Sequence, residues 1–164
     1  MNQLTLRVLD IEPGTSVDGP GLRTSIYFAG CDHHCPGCHN PDSWNREGGK
    51  LMTIGEIMDV VKENGFNVTF SGGDPIYQLH NVSLLAEEIA KEGLTLWVYT
   101  GFTFEQLLAM DNIGRLLSNT EVVVDGRFVK SLRDISLHFR GSSNQRLIDV
   151  TRSLKNGEIV EADY

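Results

Sequence analysis

Apolar and polar positions along this chain fall into blocks that switch between a two-residue period and a helical one. Residues 21–29 (GLRTSIYFA) form a β-rich run. Thr53 and Glu56 make a T-x-x-E capping box, and Ile54, Ile57, Met58 and Val61 follow at helical spacing. The spacing therefore predicts a helix with that stripe buried and Gly65 closing it. Residues 66–70 (FNVTF) read as a strand, and Val82, Leu85 and Ile89 mark a second helix that ends at Gly93. Residues 94–99 (LTLWVY) are a further strand, in which Trp97 and Tyr99 read as core-packing residues. Thr103 with Gln106 opens another capped helix, and residues 121–124 (EVVV) return to strand. Past Lys130 the pattern loosens and predicts one short strand over 147–150 and a loose tail.

The strands beginning near residues 66, 94 and 121 recur at the length of one βα unit, roughly 30 residues. Short apolar strands joined by helices imply an α/β chain with a mostly parallel sheet and right-handed crossovers. Four or five such units fall short of the eight that close a barrel, so the expected form is a partial, open (β/α) barrel. A chain of 164 residues suits one domain over 1–164, with its core in about 10–150. A net charge of −8 with scattered Lys and Arg excludes a basic surface for nucleic acid. No apolar run reaches membrane length, and residues 1–7 lack the basic-then-apolar pattern of a leader. The expected compartment is the cytoplasm, which also suits an odd number of cysteines, 3 in all.

All three cysteines, Cys31, Cys35 and Cys38, lie in one C-x3-C-x2-C run just after the first β-rich segment. Three thiolates leave one site of a cubic iron–sulfur cluster unfilled, and a metal with an open position does chemistry. A zinc site completed by His33, His34 or His39 is one alternative, and a dithiol redox pair at Cys35 and Cys38 is another. Parallel sheets carry their sites at the carboxyl ends of the strands, where the other polar motifs fall. Gly72-Gly73-Asp74-Pro75 is either a plain βα turn or a backbone cradle, with Asp74 holding a ligand ammonium directly or through water. Thr100-Gly101 and Asp125-Gly126-Arg127 end the next two strands, Asp125 being a candidate for ribose hydroxyls or for capping the following segment. Asp18-Gly19-Pro20-Gly21 is a tight turn that also presents Arg23 to the site, or a turn alone. Arg140 and Arg146 bind a carboxylate or a partner loop, or are solvated charge.

The cysteine run followed by residues 69–75 (TFSGGDP) resembles the radical S-adenosylmethionine superfamily. Residues 17–23 (VDGPGLR) resemble the opening segment of its glycyl-radical-enzyme activases. Residues 35–40 (CPGCHN), Trp44-Asn45 and residues 139–146 (FRGSSNQR) resemble the branch that serves anaerobic ribonucleoside-triphosphate reductases. The resemblance covers roughly residues 10–150. It implies a partial barrel of the radical S-adenosylmethionine type, with one [4Fe–4S] cluster on Cys31, Cys35 and Cys38. It further implies S-adenosylmethionine on the open iron, reductive cleavage of the sulfonium, and removal of hydrogen from a glycine Cα in the reductase large subunit. Gly72, Gly73 and Asp74 would receive the methionine amino group, and Gly37, His39 and Asn40 would lie beside the cluster and cofactor. Thr100 and Asp125 are further cofactor candidates, a flavodoxin-like protein is the implied electron donor, and no general base is required. Asp74 stands where many relatives carry Glu, keeping the charge on a shorter reach. Activation of another glycyl radical enzyme, such as pyruvate formate-lyase, or a small-molecule radical reaction are the alternatives.

Overall fold

The computed structural model of the chain describes residues 4–36 and 44–164. In chain order the strands are β1 (Thr5–Thr15), β2 (Arg23–Phe28), β3 (Lys50–Thr53), β4 (Asn67–Gly72), β5 (Leu96–Tyr99), β6 (Val122–Asp125) and β7 (Arg146–Asp149). The helices are α1 (Ile54–Asn64), α2 (Leu79–Lys91), α3 (Phe104–Leu108), α4 (Gly114–Leu117) and α5 (Val150–Asn156). The strands form one open sheet in the order β3-β1-β2-β4-β5-β6-β7.

Local chemistry accounts for the central units. Thr53 and Glu56 close a reciprocal capping box at the start of α1, and Gly65 ends that helix at φ 69°. The stripe of Ile54, Ile57, Met58 and Val61 is buried as its spacing requires. Thr103 and Gln106 form the second capping box, at α3. The helices give β2, β4, β5 and β6 parallel pairing.

The expectation of a mostly parallel sheet needs correction, because the sheet is mixed. β1 pairs antiparallel with both β2 and β3, and β7 pairs antiparallel with β6. The cause is connection length and content. Residues 16–22 between β1 and β2 are too few for a crossover, and residues 126–145 between β6 and β7 contain only a 3-10 turn at Lys130–Leu132. Without a helix to carry the chain back, each connection returns it antiparallel.

Strand alternation sorts the sheet into two unlike faces. Ile26, Phe28, Val68, Phe70, Leu96, Val98, Val123 and Ile148 pack against the helices in the main core. On the other face, register sets Arg23, Ser25 and Tyr27 beside Asn67, Thr69 and Ser71, then Trp97 and Tyr99, then Val122 and Val124. A smaller cluster of Trp97, Val122, Val124 and Leu147 covers part of this polar face, joined by Phe139 and Ala162. The tail expected to be loose is packed instead. After α5 it runs back along β7, with Ala162 N–H donating to Leu147 O at 2.6 Å and the Tyr164 ring 5.2 Å from Trp97. No helix among the described residues is long and apolar enough to cross a membrane.

Candidate active site

The loops after the parallel strands meet at a cavity of about 530 Å³, a volume suited to a cofactor-sized ligand. Cys31, Cys35, Gly72, Gly73, Thr100 and Gly126 all border it, so the strand-end motifs do converge. Cys31 is buried and Cys35 half-buried. Cys38, Gly37, His39 and Asn40 lie outside the described residues.

Each residue between Cys31 and Cys35 is fastened to a different part of the chain. Asp32 pairs with Arg46, whose guanidinium also lies 5.0 Å from the Tyr77 ring. His34, at φ 51°, stacks on Trp44 at 4.6 Å, and Trp44 O accepts the Cys31 N–H at 3.3 Å. His33 Nε2 bonds Asp74 Oδ2 at 2.8 Å, which removes that nitrogen from the zinc-ligand alternative. The donor set fits an iron–sulfur cluster. Two soft sulfurs border one cavity, and two buried nitrogens of this region, His33 Nδ1 and Trp44 Nε1, have no hydrogen-bond partner among the described residues.

The Gly-Gly-Asp turn is built for close packing. Gly72 sits at φ 101°, and a Cβ there would stand 2.3 Å from Phe28 N and 2.6 Å from Phe28 O. Its glycine is therefore demanded by the neighbouring strand as well as by any ligand. Gly73 N–H donates to Phe28 O at 2.7 Å and Asp74 N–H to Gly30 O at 2.8 Å. Asp74 is fully buried. Its Oδ1 accepts from Ile76 N–H at 3.0 Å, and its Oδ2 from the Thr100 hydroxyl and the Gly101 N–H, each at 2.9 Å. With His33 these donors fill the carboxylate, so a direct contact from Asp74 to a ligand ammonium does not fit this arrangement.

Asp125 is also buried behind the cavity wall. Its Oδ2 accepts the Phe104 N–H at 2.8 Å, so it caps the preceding crossover helix α3 and not the segment after it. Arg146 grips the same carboxylate through Nε at 3.1 Å and Nη2 at 2.5 Å, and reaches Glu105 at 2.6 Å. These hydrogen bonds, first to Asp125 and then to Glu105, hold its guanidinium above its ordinary pKa. Ribose hydroxyls thus have no open oxygen on Asp125, and Arg146 is paired and only partly exposed, not a free surface charge. Arg140 does border the cavity, and its buried Nε has no partner among the described residues. Arg23 does not reach the cavity. It lies buried in the polar face, donating to Thr69 Oγ1 and Val68 O at 2.9 Å each, and burial lowers its pKa.

Sequence reasoning missed Tyr27 and took Asp18 only as part of a turn, yet both border the cavity. The Tyr27 hydroxyl donates to Asp18 Oδ2 at 2.5 Å, and burial followed by this bond pushes the phenol well above its usual range. The signal was the polar alternation Arg23-x-Ser25-x-Tyr27, which marks one face of β2 as something other than core.

Residues 17–148 match the family described as a 4Fe-4S single cluster domain, which takes in the cysteine loop and every strand-end motif of the cavity. Named relatives narrow the class. The anaerobic ribonucleoside-triphosphate reductase-activating protein of Escherichia coli K12 is 36% identical over 145 residues, covering 81% of this chain and 92% of the relative. That of Enterobacteria phage T4 is 33% identical over 147 residues, 84% of this chain and 90% of the relative. That of Haemophilus influenzae is 32% identical over 152 residues, 85% and 96%. The chain belongs to this family of anaerobic ribonucleoside-triphosphate reductase-activating proteins.

Proposed function

We propose that the chain is an activase that holds one [4Fe–4S] cluster on Cys31, Cys35 and Cys38, binds S-adenosylmethionine, and generates a glycyl radical on the large subunit of anaerobic ribonucleoside-triphosphate reductase. The observation that carries this reading is the shared cavity, with cysteine thiols on one wall and the Gly72-Gly73 turn on another. When bound, the cluster supplies the electron that splits the sulfonium C–S bond, so that methionine and 5′-deoxyadenosine leave and a glycine Cα gives up one hydrogen atom.

The chain's own residues bind, orient and shield. At the Gly-Gly turn the Gly73 and Asp74 N–H groups are engaged, and the Gly73 carbonyl accepts no hydrogen bond from the described residues. A free carbonyl suits a ligand ammonium, so Gly73 acts through its oxygen, with Gly72 beside it on the cavity wall, while Asp74 and Thr100 support the turn from behind. Gly37, His39 and Asn40 flank Cys38 and are assigned as cofactor contacts. Asp125 acts through the wall it anchors. The hydrogen leaves the glycine Cα as an atom, proton and electron together, so no general acid or base is needed and alignment of cofactor and glycine is the main protein contribution. The open sheet is read as the partial barrel of the radical S-adenosylmethionine type, in a single cytoplasmic domain reduced by a flavodoxin-like donor.

The test is anaerobic reconstitution with iron and sulfide, then reduction with S-adenosylmethionine and the reductase. An organic-radical EPR doublet on the large subunit is the expected result. Absence of a charge-transfer band in the reconstituted protein would overturn the cluster. Deoxyadenosine release without the doublet would assign a small-molecule substrate instead.

A further inference from the structure

The strand-end turn does not by itself explain why the middle of the Cys31–Cys35 spacer is histidine, nor why residue 101 is glycine. Both have one physical cause. The Asp74 carboxylate draws together three loops: His33 after β2, its own turn after β4, and Thr100 and Gly101 after β5. Oδ2 already accepts from the Thr100 hydroxyl and the Gly101 N–H, so Nε2 supplies the hydrogen it shares with His33. The His33 side chain is 3% exposed. Phe102 meets it edge-on at 4.6 Å and Tyr77 lies at 5.8 Å. Gly101 forms the floor, where a Cβ would stand 2.4 Å from the ring's Cδ2 and 2.6 Å from Nε2. Gly101 is not in the left-handed region, so the demand is for room, not for backbone freedom.

We infer that His33 is a positioning residue: its bond to Asp74 fixes the cysteine loop against the Gly72-Gly73 turn, and so sets where cluster and cofactor meet. The inference rests on the function proposed above and assigns His33, Asp74 and Gly101 to one device. A loop bearing metal ligands needs outer contacts to hold its orientation, and loss of such contacts weakens metal-centred function by about 10- to 100-fold.

Three variants separate this role from simple packing. His33→Leu fills the space without a donor. His33→Gln keeps an N–H that reaches Asp74. Gly101→Ala leaves both partners intact but occupies the place of the ring. Each is checked for fold by thermal melting of the iron-free chain and for iron per chain after reconstitution. The reduced cluster is then titrated with S-adenosylmethionine and followed by EPR without the reductase. His33→Leu and Gly101→Ala are expected to need about 10- to 100-fold more S-adenosylmethionine for the spectral change, with His33→Gln restored close to wild type. A His33→Leu titration that overlays wild type overturns the inference, as does a His33→Gln variant no better than His33→Leu. Loss of fold in all three also overturns it, making the bond structural only. A wild-type chain that takes up no cluster overturns the proposed function, whereas a cluster-bearing wild type with an unchanged His33→Leu variant overturns only the role of His33.

Discussion

Arg146→Met is the substitution whose cost is best worked from the geometry. It removes the cation from a carboxylate that is 1% exposed, while the Arg146 side chain itself is 28% exposed. Stripping one partner from a buried ion pair costs about 3–5 kcal/mol. Two backbone N–H groups, Phe104 at 2.8 Å and residue 146 itself at 3.2 Å, remain on Asp125 after the change. The expected loss is therefore at the lower end, about 3 kcal/mol, with the exposed Glu105 contact adding about 0.5 kcal/mol at most. For a chain of this size that corresponds to a fall in Tm of about 6–12 °C. Urea unfolding of the iron-free chain, followed by circular dichroism, measures it directly. The double variant Arg146→Met with Asp125→Asn should recover at least about 1 kcal/mol of the summed losses, since no unpaired charge then remains. A loss below about 1 kcal/mol in Arg146→Met would refute the reasoning and show the two backbone donors to be sufficient.

Gly72→Ala forces a Cβ to 2.3 Å from the Phe28 backbone at φ 101°, and the expected cost is about 3 kcal/mol or more, visible as a large fall in Tm. Thr53→Ala removes the α1 cap and should cost about 1 kcal/mol in urea unfolding at neutral pH. The Thr53 backbone and side chain hold the Glu56 carboxyl below its ordinary pKa of 4.5. The stability this lends is present above that value and is lost as pH falls through the lowered folded value, so the gap between wild type and Glu56→Gln should narrow in acid unfolding below pH 4.5.

What the sequence disclosed and what it hid divide along a physical line. The α1 and α3 caps, the α1 stripe and the parallel strands rest on residues within a turn or two of each other, and all were legible. β1 was not, because Pro13 and Gly14 interrupt a run whose buried Leu6 and Val8 otherwise alternate as a strand should. The four-residue β3 is defined by its partner β1 and not by any pattern of its own. Pairing sense at β7 depended on the missing helix in residues 126–145. In the site, Cys31, Cys35 and the Gly72-Gly73 turn were legible from spacing and residue type. Asp74 and Asp125 were visible as charges at strand ends, but their partners His33, Thr100 and Arg146 lie far off in the chain. Only the fold shows that both carboxylates are buried against those partners and that neither borders the cavity.

The three separate anchors of the Cys31–Cys35 spacer have a consequence for anyone moving this motif into another scaffold. A graft of residues 31–38 alone would carry the thiols but leave behind Arg46, Trp44 and Asp74, which grip Asp32, His34 and His33. The transplanted segment would be a floppy chelating peptide. The portable unit is the octapeptide together with residues 44–46 and the turn at 72–74, and trimming any one of these pieces frees the corresponding link of the loop.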